Sequence, residues 1–347
     1  MSNYKFKKEQ ILTSKSFIEI SDIVFAANLS NQDMDIVEKN DIKVMYKNQY
    51  YTSFKTSKFS LKESDIIFCN SSFLENLFFY LKKLDEFSNI TLISGQSDRS
   101  IDKKLFAKKP NCIKNWYAVN VDFENEGLNP IPLGIANDYS PKNIRVNDLV
   151  NQKKDKINKI EKLYINMRKN TNISERSDFE NLFKDEKWVV YKEPNLTTEQ
   201  YLDDLMNHKF VLCPWGNGID THRLWETLYS GSIPVTKYNI AYKTFEKLPI
   251  IFVDKFDEIN LEFLNKKYSE LISNNLNLLN FEYWKLQIQS HKNLDMKGKK
   301  FIEENNFYEI IFWFKLEVLR RIKSKFKVIN YYFRAFKKRI LNLKNFL

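Results

Sequence analysis

The segment 209–236 constrains the fold of this chain more than any other stretch. An apolar run at 210–212 ends in a glycine-containing loop, a short amphipathic segment follows, and a second apolar run occupies 233–235. Gly231 separates the amphipathic segment from the second run and is a typical helix stop. This succession of strand, loop, helix and strand predicts one βαβ unit, which belongs in a parallel sheet.

The loop and the helix of this unit carry residues suited to a diphosphate ligand. Gly216 and Gly218, with Asn217 between them, lie where the loop meets the helix, so the backbone can approach a ligand closely. Arg223 and Glu226, three residues apart, share the polar face of the helix. The guanidinium offers a diphosphate a planar fork of donors, and the carboxylate can accept from ribose hydroxyls. An intrahelical ion pair on a solvated face is the alternative for these two side chains.

The residues between the loop and this polar face have more than one interpretation. His222 lies four positions before Glu226, so it can donate to a phosphate, orient that carboxylate, or only cap or pack. Asp220 or Thr221 is expected to cap the helix, and Asp220 is also a candidate for the ligand loop. The opposite face of the helix is apolar and is expected to pack in the core.

Short apolar runs alternate with helical patterns along much of the chain. The runs at 21–27, 65–69 and 90–94 are typical of strands, and 73–87 has apolar residues at helical spacing. After a polar, lysine-rich stretch at 141–160, a second series of strands and helices begins. This alternation predicts an α/β protein with parallel sheets.

The second series contains further strands at 188–191 and 248–254, and Thr197-Thr-Glu-Gln is a capping box that predicts a helix ending near Asn207. The polar stretch is the expected boundary between two domains of ordinary size. The chain is therefore expected to comprise an N-terminal domain at 1–155, a second domain at 156–300 and a C-terminal helical region at 301–347.

Cysteine usage and apolar run lengths indicate the compartment. The three cysteines are far apart, which favours a reducing environment without a disulfide framework. The first residues lack an apolar signal segment, and no run approaches the roughly 20 apolar residues of a membrane span. We expect a cytoplasmic protein.

The net charge of +11 is concentrated in residues 315–347, which hold eleven Lys or Arg and one acid. The rest of the chain is therefore almost neutral, which argues against nucleic-acid binding. Apolar residues in this segment recur at steps of three and four: Leu319, Ile322, Phe326, Ile329, Phe333, Phe336, Ile340, Leu343 and Leu347. The pattern predicts a basic amphipathic helix on an anionic membrane surface, at the inner face of the membrane. A coiled-coil seam or a helix packed on the body are the alternatives.

The segment 210–235 resembles the nucleotide-sugar segment of exostosin-type glycosyltransferases and their bacterial relatives. In that family a Pro-x-Gly-x-Gly loop precedes an Arg-x-x-Glu helix and a Gly-x-Ile-Pro-Val strand; Ser232 stands here where the family usually has Cys. Weaker similarities follow in the same order at 94–98, 116–120, 130–137, 164–168 with Thr171 and Arg176, and 248–254.

The resemblance implies a GT-B fold, in which two Rossmann-like domains face a cleft and the second domain binds the donor. It also implies an inverting hexosyl- or pentosyltransferase that uses a nucleotide-sugar, and we expect a glycan or lipid-linked acceptor, as in polysaccharide biosynthesis. A fucosyltransferase-like enzyme with a GDP-sugar and a non-catalytic glycosyltransferase-like scaffold are the alternatives.

Two further groups of residues complete the expected site. Arg168 and Arg176 follow a strand that ends near 166 and can add donors to the departing diphosphate, unless they only belong to a solvated loop. An inverting transfer also needs a base for the acceptor hydroxyl. Asp98 is expected to fill that role from the cleft edge opposite the donor, with capping or pairing to Arg99 as the alternative. Further candidates for the base are Glu124, Glu126 and Asp138.

The pair Asp33 and Asp35 matches the Asp-x-Asp pattern that holds a divalent ion in transferases of another fold. Acids at this place are better explained as the start of a helix. We therefore expect no metal or other cofactor. Stabilisation of the leaving group would then come from Arg223, the helix N-terminus and Arg168.

Overall fold

The computed structural model describes residues 6–37, 41–84, 86–140, 142–152, 158–271, 276–292, 298–319, 321–322 and 325. It contains two compact units, residues 1–301 and 302–347. The division predicted at 155/156 stays a prediction, since residues 153–157 lie outside the described residues.

The first unit is an α/β structure. Its strands are β1 (Ile23–Ser30), β2 (Ile42–Lys47), β3 (Tyr51–Thr56), β4 (Lys58–Lys62), β5 (Ile66–Asn70), β6 (Ile90–Gly95), β7 (Ile113–Ala118), β8 (Leu128–Pro130), β9 (Ile160–Ile165), β10 (Val189–Tyr191), β11 (His208–Leu212), β12 (Ile233–Lys237) and β13 (Ile251–Val253); β14 (Lys299–Glu303) runs past its end. Its helices are α1 (Ser14–Glu19), α2 (Leu74–Leu81), α3 (Lys103–Phe106), α4 (Val146–Val150), α5 (Ile173–Arg176), α6 (Phe179–Phe183), α7 (Thr198–Asn207), α8 (His222–Tyr229), α9 (Leu261–Glu270) and α10 (Phe281–Gln289).

The first large sheet is mixed, with the strand order β2-β3-β1-β5-β6-β7-β8. Strands β1, β5, β6, β7 and β8 run parallel, and β2 and β3 add an antiparallel edge. Every residue of β5 and β6 is buried, as expected for central parallel strands with helices on both faces. The strands expected at 21–27, 65–69 and 90–94 are thus confirmed.

The second large sheet is parallel and has the order β10-β9-β11-β12-β13. Counted along this sheet, the order is 2-1-3-4-5, so the chain reverses direction between β9 and β11. In sheets of this kind ligands bind outside the carboxyl ends of the two strands that flank the reversal. The predicted βαβ unit is confirmed as β11-α8-β12, and the glycine loop lies at that reversal.

Helix α8 is amphipathic, and its apolar side packs in a core shared by both sheets. Leu224, Trp225, Leu228 and Tyr229 are buried in a cluster that also contains residues of β6, β7, β9 and β11. The Tyr229 hydroxyl accepts from Leu12 N (2.9 Å) and donates to the carbonyl of Leu279, just before α10 (2.6 Å). This shared core fixes α8 relative to both sheets.

Two helix predictions have different outcomes. The capping box at Thr197 is present, because its hydroxyl accepts from Gln200 N and the Gln200 side chain accepts from Thr197 N, and the helix ends at Asn207. The helix expected at 73–87 is shorter, since α2 ends at Leu81. Apolar residues beyond its end are buried in irregular structure, so burial and not helix formation explains their spacing.

In the second unit, residues 306–319 are helical. The amphipathic helix predicted at 315–347 is described only to residue 319 and at 321, 322 and 325; the remainder lies outside the described residues. Every helix in the described part of the chain is too short or too polar to cross a lipid bilayer.

Candidate functional site

A cavity of about 1100 Å³ lies where loops from both sheets meet. Its walls come from the loops that follow β6, β7 and β8 on one side and β9, β10 and β11 on the other. The structure brings together in its lining all ten residues that the sequence assigned to the site: Asp98, Arg168, Arg176, Gly216, Asn217, Gly218, Asp220, His222, Arg223 and Glu226.

The glycine loop is fixed by contacts with the first sheet. A Cβ atom on Gly218 would lie 2.9 Å from Asn120 Nδ2, so a larger residue would displace this side chain. Asn120 follows β7, and its Oδ1 accepts from Asp220 N at 2.9 Å. Gly218 therefore allows the loop after β11, in the second sheet, to pack closely against the loop after β7, in the first sheet. At Gly216 a Cβ atom would meet only ordinary contacts, at 3.4 Å and beyond.

Arg176 fixes the same loop through hydrogen bonds to its backbone carbonyls. It is only 4% exposed. Its guanidinium donates to the carbonyls of Trp215 (2.9 Å), Pro214 (3.1 Å) and Arg168 (3.2 Å). Burial and the nearby charge of Arg223 lower the pKa of Arg176 to about 10. The solvated-loop interpretation is wrong for this residue, whose donors mainly support backbone.

Arg168, in contrast, lies exposed at the rim of the cavity. Its backbone carbonyl is held by Arg176, so the turn that carries it is fixed while the side chain faces solvent. The exposed guanidinium therefore adds a positive charge at the mouth of the cavity.

Arg223 lines the cavity and carries one unsatisfied donor. Its Nε atom is buried and has no hydrogen-bond partner among the described residues. Glu226 instead accepts from the Tyr201 hydroxyl at 3.3 Å, and burial raises the pKa of Glu226 to about 7, although the Arg223 charge opposes this. A buried N–H without an acceptor costs about 1–3 kcal/mol, which an anionic ligand would recover. The geometry thus favours a ligand contact over an intrahelical ion pair.

The capping bond expected from Asp220 or Thr221 is absent. Thr221 occupies the N-cap position of α8, but no side chain makes a capping bond there, and Thr221 Oγ1 is buried without a partner. The Asp220 carboxylate accepts from Trp225 Nε1 (2.8 and 3.0 Å) and from Leu133 N (2.8 Å). It therefore ties α8 to the loop after β8, and burial raises its pKa to about 7.

His222 also contacts the loop that follows β8 in the first sheet. Its Nδ1 lies 2.8 Å from the carbonyl oxygen of Gly134. Gly134 has a φ of +71°, and a Cβ atom there would lie 2.2 Å from a backbone oxygen, so glycine is required to present this carbonyl. This hydrogen bond to Gly134 orients the imidazole ring. The contact with Glu226 that the sequence suggested for His222 is not found among the described residues.

Asp98 lines the cavity from the first-sheet side and is exposed. The alternative partner Arg99 instead forms an ion pair with Glu75 at 3.3 Å. The other candidate bases, Glu124, Glu126 and Asp138, lie outside the cavity lining, and Glu124 pairs with a lysine.

The Asp-x-Asp pair lies elsewhere. Asp33 accepts from Lys15 Nζ and Ser30 Oγ, each at 2.5 Å, and precedes a short 3₁₀ helix, Met34–Ile36. The predicted helix start is confirmed in this short form. Among the described residues, no group of three or more His, Cys, Asp or Glu side chains is arranged to hold a metal ion.

The sequence did not reveal the residues that position this site. Tyr201, Asn120, Leu133 and Gly134 each contact a predicted site residue, but from 25 to 100 positions away along the chain. Only Tyr201 had a local signal, since it lies one turn after the capping Thr197. The others required the arrangement of the two sheets.

The chain matches no protein-family model and no curated protein.

Proposed function

We propose that this protein is a metal-independent, inverting glycosyltransferase of GT-B architecture. It transfers a sugar from a nucleotide diphosphate to a glycan or lipid-linked acceptor. The observation that carries the proposal is the buried, unpartnered Nε of Arg223 at the wall of a cavity built from the carboxyl ends of two sets of parallel strands.

The strand order supports a GT-B arrangement. Each half contributes parallel strands whose carboxyl ends supply loops to one cavity, and the second sheet reverses its order between β9 and β11. Nucleotides bind at such a reversal because loops diverge there and leave a crevice. The donor accordingly occupies the second half, and the acceptor approaches from the first.

The charges suit a diphosphate leaving group. Arg223 in the wall and Arg168 at the rim supply positive charge, and the start of α8 adds backbone N–H groups. Fixed donors of this kind stabilise charge that develops as the bond to the sugar breaks. Glu226, which accepts from the Tyr201 hydroxyl, is the proposed acceptor for the ribose hydroxyls.

A nucleotide panel tests the proposal. With UDP, GDP or CMP at 100 times its dissociation constant, we expect about 2.7 kcal/mol of stabilisation by the nucleotide that fits, measured by thermal unfolding. A panel of nucleotide-sugars should then show slow hydrolysis without acceptor. Selective binding of GDP with turnover of GDP-fucose would favour the fucosyltransferase-like alternative. Binding without turnover would favour the scaffold, and binding of no nucleotide would refute the proposal.

The C-terminal region supports a second part of the proposal, attachment to an anionic membrane surface. In the helical residues 306–319, Phe307, Ile310 and Phe314 are 74%, 69% and 72% exposed and recur at steps of three and four. They form an exposed apolar patch that ends five residues before Leu319, the first residue of the predicted stripe, and the sequence places eleven basic residues in 315–347. An exposed apolar patch next to a segment rich in basic residues suits a lipid interface with anionic headgroups.

Flotation with vesicles measures this attachment. Each basic residue near an anionic surface contributes about 1 kcal/mol, so a chain that ends after residue 314 should lose most binding to phosphatidylserine vesicles. The intact chain should float with these vesicles, and less with neutral ones or at high salt. Nucleotide binding by the shortened chain is the control for folding. Equal flotation of both chains would reject the attachment, and RNA that competes with the vesicles would point to nucleic-acid binding.

A further inference from the structure

His222 has one ring nitrogen committed and one available. A carbonyl oxygen can only accept a hydrogen bond, so the Nδ1 atom, 2.8 Å from Gly134 O, carries the proton. The neutral ring then has its lone pair on Nε2. No other hydrogen bond of this ring is found among the described residues, and the ring lines the cavity.

The surroundings keep this ring neutral until a proton arrives. Burial lowers the pKa of His222, and the position at the start of α8 opposes a positive charge there. The carboxylate of Asp98, across the cavity, acts in the other direction and favours the imidazolium. The other charged groups of the cavity wall are Lys142, Arg168, Arg176, Asp220, Arg223 and Glu226.

We propose that His222 Nε2 is the catalytic base of the transfer, and that Asp98 stabilises the imidazolium that forms. This inference rests on the proposed function. The acceptor O–H proton moves to Nε2 while the acceptor oxygen bonds to the anomeric carbon. The bond from that carbon to the diphosphate breaks, and its electron pair leaves with the nucleotide. The imidazolium then releases its proton to water.

The two candidate bases differ in how firmly they are held. Asp98 is exposed, and its carboxylate projects from a loop. The His222 ring is fixed by a carbonyl that only a glycine can present, and it begins the helix that also carries Arg223. A base on the same rigid element as the leaving-group contact keeps a constant geometry to the reacting carbon. His222 meets that requirement, whereas Asp98 acts on it from the opposite wall.

Kinetics of the full chain test the assignment. We expect His222→Gln to lower kcat by about 10²-fold or more and to remove the acidic limb of the pH–rate profile, with nucleoside diphosphate affinity unchanged. Asp98→Asn should lower kcat less and move that limb to lower pH, because the imidazolium loses its counter-charge. His291→Gln, outside the cavity lining, is the matched control and should leave kcat and the pH–rate profile unchanged.

Imidazole nitrogen NMR provides a readout that does not need turnover. The chain has three histidines, so the spectrum can be assigned by substitution, and His222 should show the tautomer with the proton on Nδ1. The opposite tautomer, or normal turnover by His222→Gln, would overturn this inference alone. Loss of the acidic limb in Asp98→Asn but not in His222→Gln would make Asp98 the base. A wild-type chain that binds no nucleotide would overturn the proposed function and this role with it.

Discussion

Replacement of Arg223 by alanine is expected to lower kcat for sugar transfer by about 10²–10³-fold and to weaken binding of the nucleoside diphosphate. The reason is that Arg223 lines the cavity and its Nε donor is buried without a partner, so this atom has already lost its water before a ligand binds. A fixed donor that faces developing negative charge typically contributes this much to the rate. Initial rates with saturating donor, and calorimetric titration with the diphosphate, measure the two effects separately.

Two variants make this result interpretable. Arg223→Lys keeps the charge but loses the planar fork, so its rate should lie between those of the wild type and Arg223→Ala. Arg145→Ala removes an exposed arginine that pairs with Asp148 outside the cavity lining and should leave rate and affinity unchanged. Normal transfer by a folded Arg223→Ala protein would remove the central contact of the proposed donor site.

The sequence was sufficient to predict the parallel strands and the βαβ unit because those features are locally encoded. Buried parallel strands are continuous apolar runs, and Thr197-Thr-Glu-Gln determines a helix start from four adjacent residues. The antiparallel strands β2 and β3 were not predicted, because neither is a continuous apolar run. Most residues of β2 are exposed, so this edge strand has no apolar run to reveal it.

The membership of the site was predictable, but several roles were not. Charged and glycine residues at the carboxyl end of a strand point to a ligand site whatever their partners are. Whether Arg176 binds a ligand or loop carbonyls depends on residues 38 and 39 positions away, and Asp220 depends on a backbone N–H 87 positions away. The sequence alone cannot specify such contacts, because they arise only once both sheets have packed.

Asp220 leads to the second large expected effect. Asp220→Ala should lower the free energy of unfolding by about 1–3 kcal/mol for each of the two buried donors it leaves unsatisfied, Trp225 Nε1 and Leu133 N. Asp220→Asn keeps one acceptor oxygen and should be less damaging. Urea denaturation followed by tryptophan fluorescence measures the differences. Asp203→Ala, at an exposed carboxylate on α7, is the control and should change stability little.

The pH dependence of these variants separates the carboxylate charge from its hydrogen bonds. Burial raises the pKa of Asp220 from 3.8 to about 7, so the folded protein binds this proton more tightly than the unfolded chain does. Between pH about 4 and 7 the folded state therefore holds more protons, and this group lowers stability as pH rises. Glu226, whose pKa burial also raises to about 7, contributes with the same sign. Both Asp220 variants should flatten the decline without abolishing it, because Glu226 remains. An unchanged decline in Asp220→Asn would mean that the N–H groups of Trp225 and Leu133 hold Asp220 ionised throughout, and that its bond to α8 persists at acid pH.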